Sequence, residues 1–259
     1  MRIRATVAAV SGALALSALA VPAAQADDSE GDTKISNVVV NGGKSVVVGA
    51  TTAKKVTVSF TVTDNSGADW AQAILYHGPS IEESDSGAVA DSSDGEATCS
   101  KVNATTSTCK STFTLKPNYN LVNSVAGTWK VWALAAAKDA DFTQKDNAKS
   151  FKVQRASKLT ANASPEPVKK GKTITVTGKL SRANWETGKY AGYSGQSVKL
   201  QFRKKGSSSY STVKTIKTDS KGELKTTVKA SADGYYRYSF AGTSTTPAVN
   251  ATGDFIDVK

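Results

Sequence analysis

The chain has 259 residues, with 33 Lys and Arg against 22 Asp and Glu, two cysteines and a single histidine. That inventory excludes an imidazole- or thiolate-rich metal centre and leaves His77 as the only histidine for a serine or cysteine triad. After the first 26 residues the longest apolar run, Val131 to Ala137, is too short to cross a bilayer, so no membrane span is expected.

At the start, Arg2 and Arg4 precede an uncharged run from Ala5 to Val21, then Pro22 and the small-residue pattern Ala24-Gln25-Ala26. This is the form of a secretory signal peptide over residues 1–26, cleaved after Ala26. Residues 27–259 are therefore expected to be secreted and extracellular. In that oxidising setting the even cysteine count favours a Cys99–Cys109 disulfide over a reactive thiol. Closing so short a loop contributes roughly 3 kcal/mol in the chain-entropy account.

Strand signals follow one another without a sustained helical period, so the fold class is all-β. Candidate strands fall at 35–40, 45–49, 55–63, 70–77, 98–102, 108–115, 128–137 and 148–153. Beyond Gln154-Arg155-Ala156-Ser157 the alternation becomes legible residue by residue. Ile174, Val176 and Leu180 share one face, as do Val198, Leu200 and Phe202, and then Leu224 and Val228. Strands near 159–163, an edge strand at 210–217, and a last strand ending Phe255 to Val258 bring the second half to about seven, the number in an immunoglobulin-like sandwich. The chain divides into 27–155 and 156–259, two tandem antiparallel sandwiches joined by a short polar linker that permits a hinge. Charge follows the same division: residues 27–156 hold 13 Lys and Arg against 15 Asp and Glu, and residues 157–259 hold 18 against 7.

Both halves carry the order glycine, aromatic, basic, hydrophobic, in Gly127-Thr128-Trp129-Lys130-Val131 and in Gly234-Tyr235-Tyr236-Arg237-Tyr238. Asp233-Gly234-Tyr235-Tyr236 resembles the tyrosine corner of immunoglobulin-like folds. That likeness implies that Tyr236 bonds back to the backbone, that Tyr238 fills the core, and that Trp129 offers its N–H at the equivalent place. The leader ending AAQA, the TDNSG turn at 63–67, CSKVNATTSTC, GTWKVWA, SPEPVKKGKTITVTGKL and DGYYRYSFAG are similar to secreted actinobacterial two-domain immunoglobulin-like proteins. Some members of that family are labelled calcium-binding. The resemblance implies an extracellular, non-enzymatic role and directs attention to Ca2+.

Four groups of residues carry candidate chemistry. The loop with Glu82, Glu83, Asp85, Asp91, Asp94 and Glu96, and a second group with Asp139, Asp141 and Asp146, offer hard oxygen donors suited to Ca2+. Asp64 and Asp69 flank a further turn. In the basic half, Lys199, Arg203, Tyr235 and Arg237 should share an outward face, with an anionic cell-wall polymer or another extracellular protein as partner and no nucleic acid. Gly42-Gly43-Lys44-Ser45 lacks the upstream glycine of a phosphate-binding loop and is expected to form a hairpin turn. Around Ser194 the nucleophile-elbow pattern is incomplete, and no catalytic residues are expected. The expected function is a non-catalytic binding or structural module at or near the cell envelope, with an extracellular calcium-binding protein as the alternative.

Overall fold

The computed structural model describes residues 27–259, and the expected leader over residues 1–26 lies outside them. The first half contains β1 (Asp28–Glu30), β2 (Lys34–Val40), β3 (Val46–Val48), β4 (Lys54–Thr63), β5 (Ala68–His77), β6 (Ser86–Val89), β7 (Thr98–Lys101), β8 (Thr106–Leu115), β9 (Gly127–Ala137) and β10 (Phe142–Arg155). One sheet runs β2-β4-β8-β7; the other runs β1-β10-β9-β5-β6, with β3 added in parallel to β10. This is the strand order of an immunoglobulin-like sandwich.

Alternation produces the core. Along β4 and β9 every second side chain is buried, so Val56, Val58, Phe60 and Val62 meet Trp129, Val131, Ala133 and Ala135 between the sheets. Cys99 and Cys109 pair directly across β7 and β8 and form the disulfide. The Gly42-Gly43 segment does not join a hairpin, because β2 and β3 belong to different sheets. It is a short 3-10 turn that carries the chain across the sandwich, with Gly42 at φ 62° and Gly43 at φ 79°.

The second half contains β11 (Ser157–Leu159), β12 (Asn162–Ser164), β13 (Thr173–Asn184), β14 (Lys189–Gly192), β15 (Ser197–Lys204), β16 (Ser211–Lys217), β17 (Glu223–Lys229), β18 (Gly234–Phe240), β19 (Val249–Asn250) and β20 (Asp254–Ile256). The long β13 pairs with β11, β12, β14 and β17, and faces a second sheet of β16-β15-β18 completed by β19 and β20. The repeated glycines, Gly127 and Gly234, open the equivalent strands β9 and β18.

The corner bonds are distributed differently from the sequence expectation. Trp129 Nε1 donates to Val125 O at 2.7 Å, as its position implied. In the second sandwich, however, Tyr238 is the tyrosine that bonds to backbone: its hydroxyl crosses the core to Val176 O at 2.9 Å. Gly178 makes the crossing feasible, because any side chain there would overlap the Tyr238 ring. Tyr236 instead lays its ring against Phe202, with centroids 4.7 Å apart.

The linker is also not a free polar hinge. Only Ala156 separates β10 from β11, and its N–H donates to Val48 O while its carbonyl accepts from Ala183 N. The β13–β14 hairpin then reaches back across the junction. Trp185, beyond the end of β13, is fully buried in the first sandwich's core, and its Nε1 donates to Val48 O at 3.3 Å. Asn123 ties the same turn down through Asn184 Oδ1 and Glu186 Oε2, at 2.9 and 2.7 Å.

Burying one large aromatic across the junction should couple the unfolding of the two sandwiches. Trp185→Ala is expected to destabilise the first sandwich by roughly 3–5 kcal/mol and to split one denaturant transition into two. Urea unfolding followed by far-UV circular dichroism and tryptophan fluorescence checks this; a variant within 1 kcal/mol of the parent, still unfolding in one step, would show that the insertion carries no coupling.

Candidate functional site

Successive side chains in a strand face opposite sides, so the buried residues of β15 and β18 decide which residues face outward. Val198 and Leu200 point into the core from β15, which turns Lys199, Gln201 and Arg203 out. Tyr236, Tyr238 and Phe240 point in from β18, which turns Tyr235, Arg237 and Ser239 out. The antiparallel register then sets Arg203 opposite Tyr235, Gln201 opposite Arg237 and Lys199 opposite Ser239.

Three of the four residues expected on this face come into one cluster. The Arg203 guanidinium carbon lies 4.3 Å from the centre of the Tyr235 ring and 5.3 Å from that of Tyr210. Arg237 lies 3.7 Å from the Tyr210 ring, within cation–π range. Arg237 Nε donates to Gln201 Oε1 at 2.9 Å, and Arg203 Nη1 donates to Ser207 O at 2.6 Å. Among the described residues no carboxylate oxygen comes within 4.0 Å of either guanidinium. Lys199 stands exposed four residues from Arg203 along β15, outside the ring cluster.

Sequence reasoning missed Tyr210 and Phe255 as members of this face. Tyr210 precedes β16 at the end of a serine-rich turn, where no alternation marks its side. It joins the cluster because its hydroxyl lies over Gly253, where any side chain would overlap it. Phe255 arrives from β20 opposite Tyr235, with ring centroids 5.1 Å apart, and Lys205 Nζ lies 5.5 Å from the Phe255 ring. The platform therefore alternates cations and rings across three paired strands and one turn.

The acidic residues distribute differently. Asp85 receives His77 Nδ1 at 2.6 Å just after β5, and Glu83 N donates to Ser80 Oγ beside it. Asp91 faces Thr114 and Lys55, Asp94 accepts from Glu96 N, and Glu96 bridges Gln72. Glu82, Glu83, Asp85, Asp91, Asp94 and Glu96 thus form no single cluster among the described residues. Asp146 lies in a bulge of β10 rather than in a loop; burial, then the charges of Glu82 and Asp27, push its carboxyl up.

Asp139 and Asp141 are at the opposite end of β5 from Glu82, because Lys138 N in their turn donates to Gly67 O beside the start of that strand. There Asp141 joins Asp32 and Asp64, each offering a carboxylate oxygen within 4.8 Å of the others. Asp139 instead accepts the Asp141 N–H within its own turn. Burial alone would raise the Asp64 carboxyl, but the hydroxyls of Ser66 and Thr33, at 2.7 and 2.6 Å, and the Ser66 N–H bring it down to about 2. Asp32 escaped sequence reasoning although residues 27–32 hold four acids, because nothing local shows that the β1–β2 turn lies against two distant turns.

No protein-family model and no curated protein matches the chain. Among solved structures it is similar to a DUF4785 family protein from Legionella pneumophila, at 12% identity and a TM-score of 0.36. That alignment covers 80% of this chain and 52% of the other, so the chain spans about half the length of that protein. It is also similar to the D00-D0 domain of intimin, at 14% identity and TM-score 0.28, covering 86% of this chain and 99% of that one. An adhesin of Yersinia pseudotuberculosis, InvE, aligns at 13% identity and TM-score 0.28 over 85% of this chain and 58% of its own. At these scores the alignments carry no argument about ligand or activity.

A carboxyl held low in the fold contributes stability that is complete above its unfolded pKa and disappears as pH falls through its folded one. Asp64→Asn should lower stability at pH 7 by about 2 kcal/mol, and the penalty should vanish between about pH 4 and pH 2. Urea midpoints across that range test the expectation; an equal penalty at both ends would assign the effect to packing rather than to the carboxylate.

Proposed function

We propose that the chain is a secreted, non-catalytic binding module at or near the cell envelope, contacting its partner through the outward face of β15 and β18. The observation that carries this reading is the pairing of Arg203 and Arg237 with Tyr210 and Tyr235, free of any carboxylate within ion-pair distance among the described residues. Guanidinium edges held flat on rings present N–H donors to acidic groups, while the rings accept apolar ring faces. An anionic cell-wall polymer, or an acidic surface of another extracellular protein, has that combination. The wider excess of Lys and Arg in residues 157–259 adds long-range attraction.

A second reading rests on Asp32, Asp64 and Asp141, whose hard oxygens suit Ca2+. Asp64 already accepts three hydrogen bonds, whereas Asp32 Oδ1 and Asp141 Oδ1 retain acceptor capacity toward an ion. In this reading the ion would brace three turns at one end of the first sandwich.

Sedimenting isolated cell envelopes with the purified chain separates the two. Pelleting that falls with salt, ignores calcium, and weakens roughly ten-fold in the Arg203→Ala/Arg237→Ala double variant is the expected result. No pelleting under any condition would overturn envelope binding. For the second reading, a calcium titration followed by thermal unfolding should raise Tm in the parent and not in Asp32→Asn/Asp141→Asn; a flat response in the parent removes it.

A further inference from the structure

The crossing between the sandwiches places two arginines side by side. Arg155 ends β10 and is only 7% exposed, while Arg182 lies in β13 opposite Ser157. A guanidinium keeps its charge even when buried, so placing one beside a like charge calls for a compensating anion. Burial, and after it the charge of Arg182, push Arg155 down to about 10. The protein's own contribution is small. Arg155 Nε donates to Ala183 O at 2.6 Å, and Arg182 Nη1 reaches the hydroxyls of Thr245 and Thr246 only at 3.5 and 3.4 Å. Among the described residues no carboxylate oxygen comes within 4.0 Å of either arginine. Glu186, whose charge acts on Arg155, turns both carboxylate oxygens to Asn123.

The surroundings are built of hydroxyls. Tyr193 lies beneath Arg182, its ring centre 3.9 Å from the guanidinium carbon, and its hydroxyl meets that of Thr243 at 3.5 Å. The segment Thr243–Thr246 is fastened to the end of β10, since Gln154 Nε2 donates to Thr243 O and Arg155 N donates to Thr245 O. Burial pushes the Tyr193 phenol up, yet the Thr243 hydroxyl and the charge of Arg182 outweigh it and leave the phenol below its ordinary range. The locus favours negative charge against burial. Among the described residues the Nη nitrogens of Arg155 have no hydrogen-bond partner in the chain, yet they are not fully sealed, since the sealed side-chain polar atoms without partners are Ser111 Oγ and Asp146 Oδ1.

We propose that this cluster binds a tetrahedral oxyanion, a phosphate or sulfate group, through the forks of Arg155 and Arg182 with the hydroxyls of Tyr193 and Thr245 completing its shell. Donors from two guanidinium planes and two hydroxyls outnumber what one flat carboxylate can accept along its lone pairs, and a tetrahedral group offers oxygens in all those directions. The group arrives either as a free inorganic anion or as a phosphate carried on a polymer. Bound there, it ties β10 to the Thr243–Thr246 segment and braces the junction.

The test is a thermal-unfolding titration with inorganic phosphate, and separately sulfate, at constant ionic strength maintained with chloride. A saturable rise of roughly 3–6 °C at ten times the dissociation constant is expected. Arg182→Gln should weaken phosphate at least ten-fold, and Arg155→Lys, which keeps the charge and loses the fork, should do the same. If Arg155→Lys does not fold, Tyr193→Phe serves as the second variant. The Arg203→Ala/Arg237→Ala double variant should respond as the parent does, which separates this site from the outward platform. In a further arm, a glycerol phosphate oligomer that competes with inorganic phosphate identifies the polymer-borne group, and one that does not identifies the free anion. No saturable shift with phosphate or sulfate, or an undiminished one in Arg182→Gln, overturns the proposal.

Discussion

Trp185 grows from the second sandwich and is buried without remainder among residues of the first. Its indole occupies space that Val48 and its neighbours would otherwise have to close over, and its N–H answers a carbonyl at the end of β3. Everything at the junction depends on that placement. The hairpin that carries Trp185 also brings Asn184 to Asn123 and positions the Ala183 carbonyl for Arg155. A buried aromatic at the interface between two sandwiches removes apolar surface from water on both sides, which a polar linker alone cannot do.

The outward platform on β15 and β18 has a different origin. It follows from pleat and register: once Tyr236 and Tyr238 are committed to the core, Tyr235 and Arg237 have no other direction to take. Paired strands then hold Arg203 against Tyr235, while Arg237 meets Tyr210 from the turn before β16. A surface assembled this way presents its donors with little rotamer freedom left to lose on contact.

Legibility in the sequence tracked the range of the forces involved. The β4, β9, β15 and β18 alternation, the disulfide hairpin and the outward placement of Arg203, Tyr235 and Arg237 follow from local periodicity, and all were readable. What escaped depends on distant partners. Trp185 sits in a turn after the alternating part of β13, so nothing local marks it as belonging to another core. Tyr236 and Tyr238 face the same way, and only the space over Gly178 decides which hydroxyl reaches a backbone carbonyl. Likewise the acidic loop from Glu82 to Glu96 draws attention by density, whereas Asp32, Asp64 and Asp141 meet through three turns far apart in the chain.

The parallel pairing of β3 with the end of β10 has a mechanical consequence. Val46, Val47 and Val48 lie alongside Val153, Gln154 and Arg155, running in the same direction just before the chain passes into β11. Tension along the polypeptide would pull these two strands in opposite senses along their common axis. The hydrogen bonds between them would then be loaded together in shear, rather than opened one at a time as in a peeled hairpin. The strand that links the sandwiches is thus also the one whose attachment best resists stretching.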